Sequence, residues 1–180
     1  MATTNLKSSV YAEEIFELAE GKKDEMFYNS SAEHAVIVHQ ALMKTAERYV
    51  CIYSSSMCSE ISNNPDYCYY MKSFLEGSKD RKINILLTDY SNDFWNKEVG
   101  KLLSRYPQQV SIKKYDGTVY YKDSPVHFTV TDDRAYRLET DIENHMAFGN
   151  FNSEEQARAL KEVFDKMFNS MLAESVFSPC

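Results

Sequence analysis

His127 stands in the apolar run 126–131 (VHFTVT), directly ahead of Asp132-Asp133-Arg134. An imidazole can act as nucleophile, base or ligand, depending on what holds its second nitrogen. Between Val126 and Phe128 on a strand it can equally be a half-buried structural histidine with one backbone bond. Glu139, Asp141, Glu143 and His145 follow at a spacing of two. On a continuous strand all four would share a face and offer oxygen and imidazole ligands to a divalent metal. Asp141-Ile-Glu-Asn144 is poor strand sequence, so a solvated acidic surface is expected instead, with no metal and no cofactor. Ser54-Ser55-Ser56 closes another apolar run and, with Asp89, could line a pocket at the carboxyl ends of strands. It lacks the glycines of a phosphate-cradling loop. Lys113 and Lys114, with Lys122, form a small basic patch, the one feature favouring a phosphate-bearing ligand. His34 and His39 are five apart, which is not the i, i+4 spacing of a two-histidine metal site, so both are expected at the surface.

These residues need elements to position them. The first ~25 residues read as an appended helix, with Val10, Ile15, Phe16 and Leu18 on an uneven apolar side. Ser30-Ser31-Ala32-Glu33 has the form of a capping box ahead of a helix using Ala35, Val38, Ala41 and Leu42. The uncharged run 49–53 (YVCIY) is a buried strand. Asn64-Pro65 opens a second helix, which Gly77 ends. The run 83–87 (INILL) is another strand. A helix is expected from Asn92 or Asp93 to just before Pro107, then a strand at 110–112. Runs 126–131 and 135–140, split by Asp132-Asp133-Arg134, make an antiparallel hairpin. Ser153-Glu154-Glu155-Gln156 repeats the box ahead of an amphipathic last helix, with Leu160, Phe164, Met167 and Phe168 on its apolar stripe. The alternation implies an α/β domain, a mixed and largely parallel sheet with helices on both faces and a late hairpin.

From residue 26 to about 172 this order resembles the phospholipase D superfamily, whose half-domain carries H-x-K-x-x-x-x-D on such a hairpin. The resemblance implies that His127 attacks phosphorus and forms a phosphohistidine. The family lysine falls on Thr129 and the family aspartate on Arg134. Lysine would supply charge to phosphoryl oxygens, whereas Thr129 offers one neutral hydrogen bond. The aspartate would orient the imidazole, and Arg134 cannot. The family's Gly-Ser-x-x-Asn element is replaced by the stretch Arg137-Leu-Glu-Thr-Asp141-Ile-Glu. Half-domains of the family pair so that two motifs face each other, which implies a homodimer.

A chain of 180 residues with 43% apolar content can bury one substantial core. Residues 1–25 are expected as a helical extension and 26–180 as the α/β domain. A net charge of −7 disfavours nucleic acid, and no run is long and apolar enough for a membrane span. Cys51, Cys58, Cys68 and Cys180 form no C-x-x-C pair, so reduced thiols and a cytoplasmic address are expected. The leading functional expectation is a non-catalytic module acting through protein contacts, as a homodimer or complex subunit. Its alternatives are a phosphodiesterase or nuclease using His127 across a dimer interface, and a small-ligand sensor using the degenerate cleft.

Overall fold

A computed structural model describes residues 2–177, with side chains from residue 9 onward; Cys180 lies outside the described residues. The elements in chain order are α1 (Ala2–Glu20), β1 (Met26–Ser30), α2 (Ala32–Thr45), β2 (Tyr49–Ser54), α3 (Pro65–Gly77) and β3 (Lys82–Leu87). A 3₁₀ turn (Asn92–Asn96) leads to α4 (Glu98–Leu103) and β4 (Val110–Tyr115). The two-residue strands β5 (Tyr120–Tyr121) and β6 (Ser124–Pro125) form a separate small hairpin. Then come β7 (His127–Thr131), β8 (Ala135–Asp141), β9 (Met146–Asn150), α5 (Glu154–Phe168) and β10 (Ala173–Ser175).

Eight strands form one sheet in the order β1-β9-β8-β7-β2-β3-β4-β10. The sheet is mixed and has helices on both faces, as the alternation requires. Its balance differs from the expected largely parallel arrangement: only β2–β3 and β3–β4 run parallel. The causes are β10, which pairs antiparallel with β4, and above all β9, a five-residue strand containing Gly149 that the sequence pattern does not announce. It inserts between β8 and β1 and pairs antiparallel with both.

Strand β2 shows how the sheet separates two apolar layers. Val50 and Ile52 point into a cluster with Met71 and Phe74 of α3. Cys51 and Tyr53 point to the opposite side, among Phe128, Leu138 and Phe164 of α5. Successive strand side chains face opposite ways, so an uncharged run suits a strand covered on both faces. Helix α1 adds Ile15, Leu18 and Ala19 to a third cluster with α2 and Phe27.

Local chemistry fixes the ends of these elements. Asn64 caps α3, accepting from the amides of Asp66 and Tyr67, with Pro65 in the first turn. At α2 the cap is Ser31, whose hydroxyl accepts from His34 N at 3.2 Å. Ser30 is already paired to Met146 in the sheet, so the capping box with Glu33 does not form. Ser153 caps α5, but its hydroxyl meets the Gln156 side chain instead of a backbone amide. The helix expected from Asn92 is broken into the 3₁₀ turn and α4. Asn63 Oδ1 accepts from Val99 N at 3.1 Å and so holds the start of α4. Gly100 lies so close that a Cβ there would be 2.0 Å from Phe94 O.

Candidate functional site

The reversal at 132–134 sets the register of everything near His127. Asp132 and Asp133 take φ of 56° and 54°, a left-handed conformation that Asp tolerates better than most residues. The Asp132 carboxylate accepts from the amides of Glu47, Arg48 and Tyr49 at 2.6, 2.8 and 3.0 Å. Asp133 bonds to the Tyr49 hydroxyl. Arg134, at the family's aspartate position, donates to Phe151 O at 2.7 Å and Thr45 O at 3.3 Å. Together these residues tie the hairpin to the end of α2, the start of β2 and the loop between β9 and α5, and none is bonded to His127.

With the turn fixed, His127 pairs opposite Glu139 and Thr129 opposite Arg137. Directly opposed residues share a face, so four side chains converge beneath α2 and α3. His127 Nδ1 lies 3.1 Å from Glu139 Oε2. Arg137 Nη2 donates to the other oxygen, Oε1, at 2.8 Å, and Arg137 Nε donates to Asn29 Oδ1 at 3.0 Å. The arginine side chain is only 3% exposed, the glutamate 8% and the histidine 14%. Burial alone would push the Glu139 carboxyl up. The His127 hydrogen bond and the charge and hydrogen bond of Arg137 outweigh it and hold the group down at about 2. An ionised carboxylate only accepts, so Nδ1 carries a proton toward Glu139. That leaves Nε2, which bonds to no described residue, as the nitrogen not engaged by the network.

Two adjoining concavities open over these groups, with about 40 and 110 Å³ of internal space. Both are lined by His127, Arg137, Glu139, Ser54 and His39. His39 therefore does not sit at the surface as its spacing suggested. It follows Ala35 by one helical turn on the buried stripe of α2, stacks on Tyr67 at 5.1 Å, and has a buried Nδ1 without a partner. Burial first, and then the charge of Arg137, lower its pKa to about 3 and keep the ring neutral. His34 stacks on Tyr11 at 3.9 Å and stays outside the site.

The other residues singled out from sequence divide clearly. Ser54 to Ser56 line the larger concavity, and Thr129 lines the smaller. The Asp89 amide bonds to Ser55 O at 3.1 Å, but its side chain is exposed beside the loop and lines neither concavity. Lys113 donates to Phe168 O at 2.7 Å and lies over that ring, and Lys114 pairs with Asp116. The basic patch is thus spent elsewhere. The series Glu139, Asp141, Glu143, His145 does not survive as one strand face, because a bulge falls between Glu139 and Asp141. Asp141 instead closes a turn on Asn144 at 3.1 and 2.8 Å, and Glu143 is exposed. Among the described residues no group of three His, Cys, Asp or Glu is arranged to hold a metal ion. His145 alone rejoins the site, its Nδ1 3.6 Å from Glu139 Oε1.

Neither Arg137 nor His39 stands out in the sequence as a site residue, and the spacing of Glu139 points only to a metal ligand. Counting across the hairpin from the three-residue turn would have found the two strand residues. No local signal marks His39.

The fold has solved relatives at low identity. TrmBL2, an archaeal chromatin protein described as showing a novel mode of DNA binding, matches with a TM-score of 0.62 and 12% identity over 97% of this chain and 66% of its own. NucT from Helicobacter pylori matches at 0.55 and 16%, over 86% of this chain and 99% of its own. Phosphatidylserine synthase of Haemophilus influenzae Rd KW20 matches at 0.52 and 12%, over 84% and 39%. At such identities the likeness establishes the fold alone, and the fold is phospholipase-D-like. No curated protein matches the chain. The model of one family does match, over residues 31–177, and the chain accordingly belongs to the family described as a domain of unknown function, DUF7931.

Proposed function

We propose that this chain is a phosphodiester-handling module in which His127 is the phosphoryl-accepting nucleophile. The observation that carries the reading is the divided carboxylate of Glu139, one oxygen on His127 Nδ1 and the other on Arg137. A carboxylate on Nδ1 fixes the tautomer and supports the charge the ring gains as Nε2 attacks. Arg137, opposite Thr129, brings a permanent cation to the strand pair that lost its lysine. Its Nη1 bonds to no described residue and is free for a phosphoryl oxygen. Nε2 attacks phosphorus, a P–N bond forms and the P–O bond to the leaving alcohol breaks. Water then attacks phosphorus, breaks the P–N bond and returns His127.

The structural neighbours do not choose the substrate, since one is named a synthase of a phospholipid and another a DNA-binding chromatin protein. The net charge of −7 argues against nucleic acid. No helix of the described residues is long and apolar enough to cross a membrane. Free Cys51, Cys58 and Cys68 fit a reducing compartment, and we infer the cytoplasm.

A second reading, a binding module or homodimer without turnover, draws on one surface. Met26, Tyr28 and Met146 lie exposed on the sheet face opposite the site, beside Phe148 and Tyr121. The experiment that separates the two is hydrolysis of bis(p-nitrophenyl) phosphate with chelator present, by wild type and His127→Ala. Turnover lost in the mutant supports the nucleophile. Absent or equal turnover leaves the contact module.

A further inference from the structure

We propose that His145 is the general acid of this site, supplied by the same chain that supplies His127. The inference rests on the reading of His127 as nucleophile. An alkoxide expelled from phosphorus needs a proton, and a half-domain with one motif lacks the second histidine that a facing copy would bring. Here a second imidazole is already present. His145 lines the same concavity as His127 and the serine loop. Glu139 sits between the two rings, Oε2 toward His127 at 3.1 Å and Oε1 toward His145 at 3.6 Å.

The turn that carries His145 is built into the site's own network. Asn29 accepts from Arg137 Nε through Oδ1 and donates to the carbonyl of His145 through Nδ2. His145 is thereby held at φ 56°, where glycine or asparagine would sit at less cost. The choice between the pocket's remaining histidines is decided by solvent. His39 is kept neutral by burial and by Arg137 and has no proton to give near neutrality. The His145 side chain is 34% exposed, open both to a leaving group and to re-protonation from water.

The step balances without any further reagent. As the P–O bond breaks, its electron pair goes to the leaving oxygen, which takes the proton from His145. In the second half, His145 accepts a proton from the attacking water while the P–N bond breaks and its electron pair returns to Nε2.

Leaving-group chemistry provides the test. Bis(p-nitrophenyl) phosphate expels a stable phenolate and needs no acid; dibenzyl phosphate expels an alkoxide and does. Asparagine at position 145 keeps the left-handed backbone, and a thermal melt checks the fold. In the first half-reaction, read as the pre-steady-state release of benzyl alcohol or p-nitrophenolate, His145→Asn should lose about 10²–10⁴-fold on dibenzyl phosphate, the usual worth of general acid catalysis, and less than about 3-fold on the activated ester. His127→Ala should lose both activities. Equal losses on the two esters in His145→Asn, or no loss on either, would overturn the assignment. So would a wild type that cleaves only the activated ester. A wild type that cleaves neither would remove the His127 reading itself, and this one with it.

Discussion

Replacing Glu139 with Gln keeps the shape of the side chain and removes the charge that His127 and Arg137 face. The carboxyl lies at about 2 against an ordinary 4.5. That difference corresponds to about 3 kcal/mol of folding stability. A second route agrees, since removing one partner of a buried ion pair costs about 3–5 kcal/mol. The folded pKa is depressed, so this contribution is complete above the unfolded value of 4.5 and is lost as pH falls toward 2. Wild type and Glu139→Gln should therefore differ by about 3 kcal/mol at pH 7 and by only about 1 kcal/mol at pH 3. Urea unfolding at pH 7, 5 and 3, followed by the fluorescence of Trp95, the sole tryptophan, reads this directly. A gap that stays constant with pH, or one under about 0.5 kcal/mol at pH 7, would refute the argument that Glu139 is held ionised by its neighbours.

Two further expectations concern the frame around the site. Phe164 is fully buried on α5 against Phe128, so Phe164→Ala should cost about 3–5 kcal/mol in urea unfolding. Asp132→Ala removes a charged acceptor from three backbone amides. It should cost about 3 kcal/mol or more, because each hydrogen bond to a charged group is worth about 1.5–3 kcal/mol. Asp132→Asn keeps the backbone tolerance and one acceptor and should lose clearly less; equal losses in the two would mean that the charged carboxylate, and not the backbone conformation or a single retained acceptor, carries the effect.

The parts of the fold legible in the sequence are those whose signals are local. YVCIY and INILL read as covered strands because they are mostly apolar and carry no charge, and Asn64-Pro65 and Gly77 mark both ends of α3. The elements that stayed hidden depend on distant partners. The strand β9 carries a glycine whose Cβ would strike Tyr136 O at 2.1 Å, a constraint that exists only once β8 lies beside it. The break between the 3₁₀ turn and α4 depends on Asn63, 36 positions away from Val99. His127 was legible as a candidate from its place on the hairpin. The motif is a pattern along one strand and says nothing of the facing strand, where Arg137 and Glu139 stand opposite Thr129 and His127. The motif departs from the family pattern along β7 and the turn after it, while the charged groups near His127 lie on β8.

If His127 Nε2 takes up a phosphoryl group, it can be trapped there. The protein would be mixed with bis(p-nitrophenyl) phosphate, quenched in alkali, where phosphohistidine survives, and its peptides analysed by mass spectrometry. A phosphoryl adduct should appear on the peptide containing His127, be absent from His127→Ala and form at the same site in His145→Asn. A wild-type protein that carries no adduct and releases no p-nitrophenol would contradict this reading of His127, leaving the phospholipase-D-like fold to a protein that works by contact alone.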